Sequence, residues 1–136
     1  MTDIEIELRP DTAWTVWKYP LFDLDKRGQL VVADRVEIEM PAGAQVLTVQ
    51  MQPMPQLRPN HEHPWIWALV SPNNTPNKRI FRVIGTGHPI KEVVPPSSKP
   101  YEMRLPQRLR YVGTIQLSGG ELVFHIFEEI NESLPC

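Results

Sequence analysis

Apolar and polar residues alternate with a period of two along much of this chain. Val36-Glu37-Ile38-Glu39-Met40 alternates strictly, the pattern of a strand with one buried face. Pro41-Ala42-Gly43-Ala44 reads as a turn. The following run, Gln45 to Met51, predicts Leu47, Val49 and Met51 on one face and Val46, Thr48 and Gln50 on the other. Trp65 to Val70 is apolar on both faces and predicts a central strand. Arg79 to Ile84, Trp14 to Tyr19 and a weaker Ile4 to Leu8 read as further strands.

The last unit carries the clearest signal. Leu109 to Leu117 and Leu122 to Ile130 flank Ser118-Gly119-Gly120-Glu121. Gly-Gly supplies the positive φ angles of a tight hairpin turn. With the turn at Gly119-Gly120, Leu117 opposes Leu122, Gln116 opposes Val123, Ile115 opposes Phe124 and Thr114 opposes His125. An unbroken register then sets Val112 opposite Phe127 and puts Tyr111 on the apolar face with Ile126.

No window shows a sustained helical period. Leu21 to Ala33 comes nearest, but Gly28 interrupts it, and the segment reads as a loop or an insertion hairpin. The expected fold is all-β: a small antiparallel β-sandwich or partly open barrel of six to eight strands, ending in a C-terminal β-hairpin. Residues 1–136 read as one domain, with 1–12 as an arm. Eleven of the 15 prolines lie between Pro53 and Pro106. Proline cannot donate to a ladder, so residues 53–64 and 89–106 are expected to be loops.

Composition adds limits. The chain is 41% apolar and 22% charged, ordinary for a globular domain. Its single cysteine, Cys136, excludes an internal disulfide framework and a thiolate zinc site. No segment approaches the roughly 20 apolar residues of a membrane helix, and Met1 to Glu5 is acidic rather than signal-like. The expected location is the cytoplasm, with no membrane partner.

Charge is tripartite. Residues 1–40 carry nine acids and five bases, residues 41–120 three acids and nine bases, and residues 121–136 four acids and no base. A basic middle invites an anion. The alternative is that acidic end strands pair with basic middle strands in one sheet.

Three places could carry chemistry. In Arg82-Val83-Ile84-Gly85-Thr86-Gly87-His88 a strand runs into a Gly-Thr-Gly turn. Glycines let backbone amides approach a ligand, Thr86 adds a hydroxyl, and Arg82 and His88 add cations. The segment lacks the spacing of a dinucleotide fingerprint or a P-loop. The alternative is a plain β-turn. The second place is His61-Glu62-His63, where two imidazoles two residues apart could reach one metal, with His88 or His125 as a third ligand; the alternative is a solvated polar loop. The third is His125, set between Phe124 and Ile126 and read as a hydrogen-bonded structural histidine beside Thr114, or else as a ligand contact. The ligand-binding set is therefore Arg82, Gly85, Thr86, Gly87, His88 and His125, with no cofactor and no catalytic residue. There is no Gly-x-Ser-x-Gly elbow, and the arginines near Tyr101 and Tyr111 match no nucleic-acid recognition motif. Trp65 and Trp67 are expected to pack in the core.

The order of motifs is itself informative. Trp17-Lys18-Tyr19-Pro20-Leu21, Trp67-Ala68-Leu69-Val70-Ser71-Pro72, Phe81 to Ile90, and Tyr111 to Gln116 followed by Leu122 to Glu128 together resemble a family of short bacteriophage-encoded proteins classed as a domain of unknown function. The resemblance covers about residues 14–128 and implies phage or prophage origin and a host bacterial cytoplasm. It assigns no catalytic residue. Three functions are compatible with it. The first is a non-enzymatic binding protein that blocks a host factor, such as a defence component, by holding a host protein or an anionic or nucleotide ligand. The second is an oligomeric virion or assembly accessory. The third is a His-ligated metal-dependent enzyme. Unpaired strand edges predict a homo-oligomer.

Overall fold

The computed structural model describes residues 5, 6, 8, 13–24, 26, 27, 30, 31, 33–53, 62–90, 108–117 and 120–130. In chain order the strands are β1 (Thr15–Pro20), β2 (Asp23–Leu24), β3 (Leu30–Val31), β4 (Arg35–Pro41), β5 (Gln45–Pro53), β6 (Glu62–Val70), β7 (Pro76–Gly85), β8 (Arg108–Leu117) and β9 (Leu122–Ile130). Seven of them form two antiparallel sheets, ordered β1-β6-β5 and β4-β7-β9-β8, while β2 and β3 form a two-residue insertion hairpin. The all-β expectation and the strand number hold. The outcome is a sandwich rather than a closed barrel. Glu5, Ile6 and Leu8 lie outside any strand, and β6 starts at Glu62, inside the stretch expected to be loop.

Period-two alternation decides which side chains meet. From β6, Ile66, Ala68 and Val70 point inward; from β4, Ile38 and Met40; from β7, Phe81 and Val83; from β8 and β9, Ile115 and Ile126. All of these are buried, and Leu21 and Phe22 join them from the segment after β1. Val49 completes the core from β5, where a register irregularity between Val46 and Thr48 turns Val46 inward too. An unbroken alternation had put Val46 on the opposite face from Val49; one extra residue at Leu47 reverses that.

Along one side the two sheets close on each other. β5 runs beside β8 without a shared ladder, and Gly113 makes the approach possible. A Cβ on Gly113 would lie 2.7 Å from Val49 Cγ1, well inside carbon–carbon contact. On the other side the outer strands β1 and β4 share no ladder among the described residues. There Val16 and Trp17 are exposed.

The tripartite charge resolves into strand pairing. Acidic β9 lies beside basic β7. Glu128 points inward and ion-pairs with Arg79, whose Nη1 also donates to the Ala44 carbonyl at 2.8 Å. Glu129 points outward and pairs with Arg35 at 3.3 Å and Arg82 at 3.5 Å. Consecutive carboxylates thus serve opposite faces of one strand.

Candidate functional site

The Gly-Thr-Gly corner is a β-turn at the end of β7. The His88 amide donates to the Gly85 carbonyl at 3.0 Å, and Gly87 takes φ +84°, a conformation open to glycine. Gly85 is needed for a different reason. The His88 ring lies over it, and a Cβ there would meet His88 Nδ1 at 2.7 Å. The Thr86 amide donates across to the Val123 carbonyl on β9 at 3.3 Å. Both the Thr86 and His88 amides are therefore engaged by protein carbonyls. This corrects the expectation that the glycine corner offers its amides to an anion: at these two positions recognition falls to side chains.

Arg82, three residues before that corner, lies on the outer face of the four-stranded sheet yet is only 3% exposed. Arg35 on β4 and Phe127 on β9 flank it in register, and Glu129 balances part of its charge. With Asp34, Val83, Ile84, Gly85, His88 and Pro89 it lines a pocket of about 260 Å³. The structure thus brings Arg82, Gly85 and His88 together. A pocket of this size sits below the usual range for whole small molecules. It suits a single charged group.

His125 sits next to Ile84 across the β7–β9 ladder. Its Nε2 is 2.7 Å from Thr86 Oγ1, and its Nδ1 is 3.0 Å from Thr114 Oγ1. Thr114 Oγ1 is also hydrogen-bonded to Tyr111 Oη. The expected Thr114–His125 pairing is present. The Tyr111 partner is not the one the sequence predicts. The β8–β9 register shifts between Tyr111 and Gly113, so Tyr111, not Val112, opposes Phe127. That one-residue bulge moves Tyr111 to the outer face, where it is 58% exposed and packs edge-on against Phe127. Gly113 inside β8 is a weak signal of such a bulge.

The remaining candidates lie elsewhere. His63 is buried on the outer face of the other sheet, against Trp65; His61 lies outside the described residues. Among the described residues, no three His, Cys, Asp or Glu side chains form a metal-sized group. Trp65 and Trp67 correct an expectation. They alternate with core residues Ile66 and Ala68 and so face outward, with Lys18 Nζ over their rings at 4.6 and 5.6 Å. No described helix is long and apolar enough to cross a membrane.

A family model described as a domain of unknown function (DUF7352) matches residues 13–134. No curated protein and no solved structure matches the chain.

Proposed function

The chain belongs to the DUF7352 family, and we propose that it is a small non-enzymatic binding protein that holds an oxyanion of its target at the outer rim of the four-stranded sheet. One observation carries this reading: the outer face bears two neighbouring polar groups. Arg82 and His88 line the pocket with Asp34, and Thr86, His125, Thr114 and Tyr111 form a hydrogen-bonded network beside it, next to Ile84. A hydroxyl–imidazole network left at the surface does little for stability, since water competes for each bond. Preorganised polar groups on rigid strands are what recognition requires.

The oxyanion is a phosphate or a carboxylate. Its two sources are a phosphorylated small ligand such as a nucleotide, and an acidic side chain of a host protein. Exposed Tyr111 and Ile90 extend the surface for the rest of the target. Bacteriophage origin, action in the host cytoplasm and interference with a host defence factor complete the proposal; they rest on the motif resemblance.

The test is thermal shift and calorimetry on the full chain with inorganic phosphate, nucleotides and an acidic peptide. A ligand at 100 times its dissociation constant stabilises by about 2.7 kcal/mol. Stabilisation by nucleotides, weakened in His88→Ala, points to the small ligand; stabilisation by the peptide alone points to a protein target. No stabilisation by any of them overturns the reading.

A second reading, an oligomeric virion or assembly accessory, is favoured by the exposed edge strand β1, with Val16 48% and Trp17 42% exposed. An unguarded edge is a template for another strand. A concentration-independent monomer in sedimentation, unchanged by Trp17→Glu, counts against it.

A further inference from the structure

Four side chains form one continuous hydrogen-bonded file across the outer rim: Tyr111, Thr114, His125 and Thr86. Tyr111, Thr114 and Thr86 are exposed, and His125 is half-buried. The file is anchored at both ends. Thr86 is tied to β9 through its amide, and Tyr111 rests on Phe127.

A neutral imidazole donates from one ring nitrogen and accepts at the other. The file therefore has two directions. In one, the Tyr111 hydroxyl donates to Thr114, Thr114 donates to Nδ1, and Nε2–H donates to Thr86. The Thr86 hydroxyl proton is then left to point out of the protein. In the other, every bond reverses: Thr86 donates to Nε2, Nδ1–H donates to Thr114, Thr114 donates to Tyr111, and the phenol proton points outward. Thr114 accommodates both directions, because a hydroxyl donates once and accepts twice.

The end groups break the tie. A phenol is a stronger acid than an aliphatic alcohol, and its oxygen lone pair is delocalised into the ring. It is the better donor and the poorer acceptor. Tyr111 therefore donates inward, and the file runs from Tyr111 to Thr86. Successive hydrogen bonds polarise one another, by roughly 10–30% per bond. The last hydroxyl becomes a stronger donor than an isolated threonine.

We propose that Thr86 is the hydroxyl that contacts the ligand oxyanion, and that Tyr111, Thr114 and His125 are positioning residues that turn its proton outward. This rests on the oxyanion reading above and names the donor and the devices that aim it. The ligand it serves is a phosphate or carboxylate oxygen that brings lone pairs and no proton of its own. A cationic or purely donating ligand gains nothing from this end of the file.

Long-range proton–nitrogen correlation on histidine-labelled full chain reads which ring nitrogen of His125 carries the proton, and inorganic phosphate is the binding probe. Tyr111→Phe removes one exposed oxygen and leaves the ring on Phe127. The expected result is a proton on Nε2 in the wild type, and a several-fold rise of the Nδ1–H form in Tyr111→Phe. Phosphate binding is expected to weaken about tenfold in Thr86→Val, equivalent to about 1.4 kcal/mol. In Tyr111→Phe it weakens about threefold, although that residue does not touch the phosphate probe. A tautomer unchanged by Tyr111→Phe overturns the proposed direction. Phosphate that responds to His88→Ala but not to Thr86→Val overturns the Thr86 assignment and leaves the oxyanion reading standing. Absence of binding by phosphate, nucleotides and the acidic peptide alike, with the tautomer still set by Tyr111, overturns the oxyanion reading and with it the ligand role of Thr86.

Discussion

Gly113→Ala tests how the two sheets are held together. Gly113 is outside the positive-φ set, which comprises Gly43, Gly87 and Gly120 among the described residues, so alanine fits the backbone there. The obstacle is space. The new methyl would lie 2.7 Å from Val49 Cγ1, where carbons in contact keep about 3.5–4.0 Å. Val49 is 6% exposed, so it cannot swing into solvent. Relief requires β5 and β8 to part by about 1 Å. Overpacking of this kind costs roughly 1–3 kcal/mol, and the lower unfolded-state entropy of alanine returns about 0.4–1 kcal/mol. The net expectation is a loss of about 1–2 kcal/mol. Val49→Ala alone removes two buried carbons and costs about 2 kcal/mol. In the double variant the new methyl occupies space the valine vacates, so the two losses do not add. Urea unfolding followed by tryptophan fluorescence gives the cycle, with a coupling of about 1 kcal/mol or more in favour of the double variant. Additivity within about 0.5 kcal/mol, or a Gly113→Ala protein as stable as wild type, refutes the claim that this contact sets the sheet spacing.

Other outcomes follow from single groups. The Tyr19 hydroxyl is buried without a hydrogen-bond partner among the described residues, and burial raises its pKa above the ordinary tyrosine value. Tyr19→Phe should leave neutral-pH stability unchanged or raise it by about 1 kcal/mol; stability tied to the un-ionised phenol is full below the ordinary tyrosine pKa and lost as pH climbs beyond it, so the variant's alkaline unfolding should be shallower by circular dichroism. Glu128→Ala should cost up to about 3 kcal/mol by leaving the half-buried Arg79 beside a void, whereas Arg79→Met with Glu128→Leu should recover most of it in denaturant titrations. Glu129→Gln should strengthen phosphate binding several-fold by calorimetry, because Glu129 competes for the cations of Arg35 and Arg82; weaker binding would mean that the carboxylate organises those arginines.

Strands were legible because the alternation of Val36 to Met40, or of the final hairpin from Leu117 back to Thr114, leaves one face apolar and one polar. The bulges at Leu47 and Val112 were not, because an extra residue changes side-chain direction without changing composition. Half of the site was readable for the same reason. Thr114 beside His125 follows from counting back from the turn, and the Arg82–His88 segment stands out by its glycines. Thr86 beside His125 needed the β7–β9 pairing, a contact between segments 39 residues apart. Tyr111 needed the bulge. The fate of the turn's amides depended on the Val123 carbonyl, which no local pattern shows.

The irregularity at Val112 makes chain length in β8 a matter of parity. Deleting one residue there would preserve a ladder with β9 but exchange the two sides of everything upstream: Tyr111 would turn toward the core, and Arg110, now level with Glu128, would move to the opposite face. In related sequences, the number of residues separating the tyrosine from the threonine therefore says more about whether the file survives than the identity of the residues between them.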